Sequence, residues 1–241
     1  MDKRTAVVTG GGKRVGAAIV AALVADGWRV VAHVHHGDDA VPQGAEKIVA
    51  DLADADCGEA IFGGIDGPVD LLVNNAARFA WDGPGEASAG EFDAHMAVNA
   101  RAPMLLIEAL AKRHADGARA LVVNILDAKL GAPNPDYLSY TLSKYAAAGL
   151  TEVMARALAG RGIRVNGIAP ALMLPSGAQG EADYARVHAL NPLRQGVEVG
   201  DVVDAIRFLV GQTAMTGQTL VIDGGQRFMA LDRDVQFVEQ Q

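Results

Sequence analysis

The chain has 241 residues, half of them apolar and 21% charged, with one cysteine and a net charge of −8. This is ordinary globular composition. The acidic balance lacks the basic patch or stripe of a nucleic-acid binder, and a lone Cys57 excludes an internal disulfide or a cysteine-rich metal site.

The start, Met1 to Thr5, runs into a strand-like segment without a signal-peptide apolar region. No apolar run reaches the roughly 18 residues a membrane span needs. A soluble, cytoplasmic protein with no membrane partner is expected. Thr5-Ala6-Val7-Val8 is a short apolar run ending at Thr9-Gly10-Gly11-Gly12, followed by a predicted helix from about Arg14 to Ala25 that Asp26-Gly27 closes. A strand from Trp28 to Val34 completes a strand–helix–strand unit. Further strand-like runs fall near Lys47–Ala50, Val69–Val73, Ala120–Leu126, Arg164–Ile168 and Thr219–Ile222. Helix-like stretches occupy roughly Glu91–His114, Tyr137–Ala159 and Val199–Val210. Cys57 lies in a helix-like Ala/Asp segment, where a structural role is expected.

Short apolar strands alternating with longer helices argue for a parallel sheet covered on both faces. Right-handed crossovers make such a sheet doubly wound, with its ligand at the carboxyl ends of the strands. No linker divides the sequence. The expected fold class is α/β: a single Rossmann-like doubly wound domain over residues 1–241 with a mostly parallel seven-stranded sheet. One segment breaks the alternation. Ala171 to Gln195 holds Pro175, Gly177, Gly180 and Pro192 around a short polar helix-like piece, Glu181–Leu190. It reads as a substrate lid, carrying Leu172 and Met173 as candidate substrate contacts; a packed surface excursion is the alternative.

Strand, then Thr9-Gly10-Gly11-Gly12-Lys13-Arg14-Val15-Gly16, then helix is the context of a dinucleotide loop. Glycines let the backbone approach a pyrophosphate, and the helix N-terminus favours negative charge. The candidate cofactor residues here are Gly10, Lys13, Arg14, Val15 and Gly16. An NAD site places an acid about 20 residues beyond the loop, on the ribose 2′-hydroxyl. This chain instead reads Ala32-His33-Val34-His35-His36-Gly37, with no acid before Asp38. Lys13, Arg14 and the three histidines His33, His35 and His36 suit a 2′-phosphate, Arg14 through paired hydrogen bonds. The expected cofactor is therefore NADP(H). No metal site is expected, because alternate side chains on a strand point to opposite faces. Asp51 and Leu52 are placed to bracket the adenine. Asn75, Ala76 and Ala77 let backbone pass close to the cofactor, although ordinary turn chemistry explains either feature.

Tyr140-Thr141-Leu142-Ser143-Lys144 falls within a predicted helix, where the i, i+4 spacing puts phenol and ammonium on one face. A neighbouring cation lowers a phenol's pKa towards the range useful for proton transfer.

Together these residues resemble the short-chain dehydrogenase/reductase family. The likeness spans nearly the whole chain: Thr9 to Gly16, Asp51, Asn74-Asn75-Ala76, Asn99, Tyr140 and Lys144, Asn166 to Pro170, and Asp223-Gly224-Gly225. It implies that Tyr140 moves the proton and that Lys144 holds the nicotinamide ribose and tunes Tyr140. It also implies that Asn99 supports a water relay to Lys144 and that the Pro170 segment packs beside the nicotinamide. Arg14 replaces the family's third glycine, and Asp127 replaces a serine thirteen residues before the tyrosine. Both changes resemble the pteridine reductase and dihydromonapterin reductase branch, where Asp joins the tyrosine in proton delivery. Phe79 matches that branch's aromatic, which sandwiches a pterin, and stacking suits a flat heteroaromatic substrate; core packing is the alternative role. His36-Gly37, Pro170-Ala171 and Met173 depart from the branch.

The implied activity is NADPH-dependent reduction of a pterin-like C=N bond, with protons from Tyr140 and Asp127. Burial of Asp127 would help keep it protonated, whereas an ionised Asp127 would only orient Tyr140 or water. The alternatives are a carbonyl reductase acting on a 3-ketoacyl group or another ketone, and a non-catalytic NADP-sensing protein. The family resemblance implies a homotetramer through the long helices. The tail from Gln226 to Gln241 either reaches a neighbouring subunit or is partly disordered.

Overall fold

Residues 3–175 and 181–238 are described by a computed structural model. Seven strands form one sheet: β1 (Thr5–Val8), β2 (Arg29–Val34), β3 (Glu46–Val49), β4 (Leu71–Asn74), β5 (Ala120–Ile125), β6 (Ile163–Pro170) and β7 (Thr219–Ile222). Their order is β3-β2-β1-β4-β5-β6-β7. The sheet expected as mostly parallel is parallel in every pairing. β1, β4 and β5 are buried at every position, as strands covered on both faces must be.

Side-chain alternation along β1 divides the core into two layers. Ala6 and Val8 pack with Ile19 and Val20 of α1 (Arg14–Ala25) and Ile206 of α7 (Val199–Gly211). Val7 faces the other way, towards Ile61 of α2 (Cys57–Phe62), Leu106 of α4 (Ala102–Arg113) and Met154 of α5 (Leu138–Leu158). Cys57 is buried in that second layer, and burial raises its thiol pKa, which suits packing rather than nucleophilic work. No helix among the described residues is long and apolar enough to cross a membrane.

β1 lies between β2 and β4, so the chain order reverses there and opens a crevice at the strands' carboxyl ends. The helix expected over Glu91–His114 is divided. It runs as α3 (Ala89–Met96), a π-helical turn (Ala97–Arg101) and α4. Pro103 sits in the first turn of α4 and has no N–H to give Asn99, so the α-helical ladder cannot pass that point unbroken. The π turn carries Asn99, and such turns gather at functional sites. In the predicted lid, α6 spans Glu181–His188; residues 176–180, including Gly177 and Gly180, lie outside the described residues.

Candidate active site

The glycine loop is held from three sides. Gly10 turns through a φ of +64°, and its N–H donates to His33 Nδ1 at 3.2 Å. His33 Nε2 lies 3.0 Å from the Ala50 carbonyl and must be the donor there, since its other nitrogen accepts. From β4, the backbone amides of Asn75 and Ala76 both donate to Thr9 Oγ1, and the Asn75 side chain donates to the Thr9 carbonyl. A Cβ on Gly16 would stand 2.0 Å from the Gly10 carbonyl oxygen, so only glycine lets the helix start this close to the loop.

These bonds correct one expectation. His33 is buried, and that burial lowers its pKa, so it is a neutral strut with both ring nitrogens engaged rather than a cation for a phosphate. His35 and His36 remain exposed at the end of β2, beside Lys13. Asp39 borders the same cleft, with its carboxylate accepting from the His36 amide; the sequence reading passed over it. Arg14, at the edge of the same cleft, makes a long-range contact. It holds a left-handed φ of +51°, uncommon for a non-glycine residue. Its guanidinium reaches across to the Pro175 carbonyl at 3.0 Å, towards the substrate side. Asp51 accepts from the Ala53 amide and lies 3.5 Å from His35, with Leu52 buried beside it.

Two clefts meet above the strand ends. One, of about 550 Å³, is lined by Gly10, Gly12, Lys13, Gly16, His35, His36, Asp51, Leu52 and Ala76. The other, of about 510 Å³, contains Asp127, Tyr140, Lys144, Pro170, Leu172 and Met173. Arg14, Val15, Asn75, Ala77 and Phe79 border both and join them into one long groove. The expected loop and lid residues, with Asp127, Tyr140 and Lys144, thus lie along it, whereas Asn99 lines neither cleft.

At the catalytic end, the Tyr140 hydroxyl donates to Asp127 Oδ2 at 2.8 Å, and Asp127 Oδ1 accepts from the Lys129 amide at 2.8 Å. Burial raises the Asp127 pKa. Burial, and then the Asp127 carboxylate, push Tyr140 above its ordinary range. Lys144 was expected to lower Tyr140, but its Nζ bonds the Ile125 carbonyl at 2.7 Å and lies 5.6 Å from the Tyr140 ring centroid. Burial lowers Lys144 to about 8. The pair that shares a proton in this state is Tyr140 and Asp127. Asn99 makes no bond to Lys144. Its Oδ1 accepts from the Arg78 amide, and its Nδ2 donates to the Arg78 carbonyl and to Ser143 Oγ.

Several site residues escaped the sequence reading. Tyr137 starts α5 with a left-handed φ of +54°. Its ring stacks on Phe79 at 4.3 Å, while Phe79 meets Tyr140 edge-on at 4.7 Å. Phe79 is 44% exposed, which sets aside core packing as its role. The α5 N-terminus is tied down by Asp82, whose carboxylate accepts from both the amide and the hydroxyl of Ser139.

In the tail, residues 226–238 fold over their own chain's site. Asp234 pairs with Lys129 at 3.2 Å, Arg233 with Asp136 at 2.8 Å, and Phe237 stacks on Tyr137. Asp234, Val235 and Gln236 thereby line the catalytic cleft. Residues 239–241 lie outside the described residues. The spacing of Tyr137 from Tyr140 was a usable signal; nothing local in the tail announced its partners.

Residues 12–227 match the family described as Enoyl-(Acyl carrier protein) reductase. L-xylulose reductase of Bos taurus is 37% identical over 234 residues, spanning 92% of this chain and 96% of that protein. Pteridine reductase 1 of Leishmania tarentolae is 32% identical over 278 residues, spanning 91% and 95%. Among solved structures, FolM Alternative dihydrofolate reductase 1 from Brucella suis in complex with NADP superposes with a TM-score of 0.85 at 34% identity, covering 93% of this chain and 95% of that one.

Proposed function

Since the chain belongs to the short-chain dehydrogenase/reductase family, we propose that it is an NADP(H)-dependent reductase of a flat, pterin-like ring. The observation that carries this reading is the part-buried Tyr140–Asp127 hydrogen bond beside Phe79, which meets Tyr140 edge-on and stacks on Tyr137.

The groove suits a dinucleotide. Gly10, Gly12 and Gly16 line the cleft at the α1 N-terminus, where a pyrophosphate would lie. Lys13, His35 and His36 would hold the adenosine end, with Asp51 and Leu52 against the adenine. Asn75, Ala76, Ala77 and Pro170 would line the path towards Lys144. Support for NADP(H) comes from Lys13 and the two exposed histidines beside it and from the structural relative in complex with NADP. When bound, the reduced nicotinamide would supply the hydride.

The remaining steps belong to the chain. Tyr140 Oη delivers its proton to the substrate nitrogen next to the carbon that is reduced. Asp127, whose pKa burial raises, takes up a proton from water in the cleft and passes it to the phenolate through the 2.8 Å bond, restoring Tyr140. Lys144, with its pKa near 8, places a positive charge below the phenol and steadies it as the proton leaves. Phe79, backed by Tyr137, offers an exposed aromatic ring to a planar substrate, and the tail residues Asp234, Val235 and Gln236 line the same cleft.

The L-xylulose reductase relatives support a second reading, reduction of a sugar ketone by the same Tyr140 proton. NADPH oxidation with dihydrobiopterin and with L-xylulose separates the two. Preference for dihydrobiopterin is expected; turnover of L-xylulose alone would overturn the pterin reading. Met104, Leu142, Tyr145 and Val153 lie exposed on α4 and α5 and support assembly into a homotetramer, which light scattering would test.

A further inference from the structure

Phe79 protrudes into the groove, yet the backbone on both sides of it is clasped by buried side chains. Before it, Asn99 holds the Arg78 N–H at 2.7 Å and the Arg78 carbonyl at 2.9 Å. After it, the Ala80 N–H donates to His95 Nε2 at 3.3 Å. His95 is 0% exposed, and its Nδ1 lies 3.0 Å from the Glu91 carbonyl. Since Nε2 accepts, the ring proton sits on Nδ1 and points to Glu91. Glu91 in turn forms a two-pronged ion pair with Arg78, at 2.8 Å through each oxygen. A closed ring of bonds, Arg78–Glu91–His95–Ala80, therefore brackets the one exposed aromatic that bridges the two clefts. The His95 ring also stands edge-on to Tyr140 at 6.3 Å.

We propose that His95 is a positioning residue that, together with Asn99, holds the Phe79 ring in place for the substrate. The proposal rests on Phe79 being a substrate contact, as read above. Burying a histidine this completely in order to satisfy one loop amide has little value to the core, because apolar packing would serve it as well. The bond's value lies in fixing a loop residue that would otherwise swing with its exposed side chain. Such a fixed aromatic binds a flat ring without first being ordered.

Two substitutions at His95 separate its bonds. His95→Asn keeps a donor near the Glu91 carbonyl and loses the acceptor for Ala80. His95→Gln reaches as far as Nε2 and restores that acceptor. In His95→Asn, amide exchange at Ala80 should accelerate and KM for dihydrobiopterin should rise about five- to tenfold, the range for one lost hydrogen bond. KM for NADPH should hold, and His95→Gln should recover both readouts. In a Phe79→Ala background, His95→Asn should add nothing further to KM. An equal rise in that background, or a faster Ala80 amide with unchanged KM, overturns the proposal. If wild type reduces L-xylulose but not dihydrobiopterin, the pterin reading fails by itself, and the same cycle run on L-xylulose judges His95. Should His95→Asn not fold, His95→Phe keeps a buried ring and removes both of its hydrogen bonds. Faster exchange at Ala80 and a higher KM are expected of it, and unchanged values overturn the proposal.

Discussion

The two ends of the groove are built by opposite means. At the β1 end, a few side chains fasten main chain: Thr9, Asn75 and His33 bind the backbone of two short loops. At the β5 end, side chains from five separated segments converge: Phe79, Asp127, Tyr137 with Tyr140, Met173, and the tail around Asp234. Backbone cradles tolerate little change and recognise what related proteins share, whereas a pocket of converging side chains can be remodelled piece by piece. Binding of the common cofactor and choice of substrate therefore sit on separable parts of the molecule.

The sharpest way to break that division is Tyr140→Phe. Turnover should fall by about 10²–10⁴-fold, the usual contribution of a positioned general acid, while NADPH affinity measured by fluorescence titration stays unchanged. A large loss of affinity would mean that the two ends are not independent.

Asp127→Asn comes next, with a loss of about 10²-fold in pterin reduction expected. It also carries a pH signature. Because burial raises the folded-state pKa of Asp127, wild type binds this proton more tightly when folded. That contribution to stability is fully present below the unfolded pKa and is lost as pH rises through the folded one. The melting temperature of Asp127→Asn relative to wild type should therefore climb from acid towards neutral pH. A difference that is flat with pH would show Asp127 to be no more protonated in the fold than out of it.

Loosening the tail tests the substrate end alone. Arg233→Ala combined with Asp234→Asn removes both ion pairs to the 129–136 segment, and KM for substrate should rise about tenfold. KM for NADPH should not follow it. The smallest effect belongs to the cofactor end: Lys13→Ala should weaken NADPH by about two- to fivefold, as expected of one exposed charge, and leave NADH unaffected. Equal loss for both would place Lys13 away from the 2′-phosphate.

The contrast also explains what could be read from sequence. Strands buried on both faces appear as unbroken apolar runs, so Thr5–Val8 and Ala120–Ile125 were visible in the sequence. The glycine loop is one contiguous stretch, and Tyr140 with Lys144 is one helical turn. His33 was misassigned because its role depends on an acceptor at Ala50, supplied only when β3 pairs with β2. Arg14's contact with Pro175, 161 residues away, had no local signal in the sequence. The tail's partners lie 97–105 residues upstream, beyond any periodic or local signal.

The π turn at Ala97–Arg101 bears on how such a chain can change length over time. One residue corresponds to about 100° of helix rotation. Deleting a single residue there would let the helix close into regular α form, but it would swing Asn99 away from Arg78 and Ser143 together or else turn the apolar face of α4 off the sheet. Either outcome dismantles the site or the core. Lineages descended from this chain should therefore accept insertions and deletions in the surface loops long before they accept one in this helix.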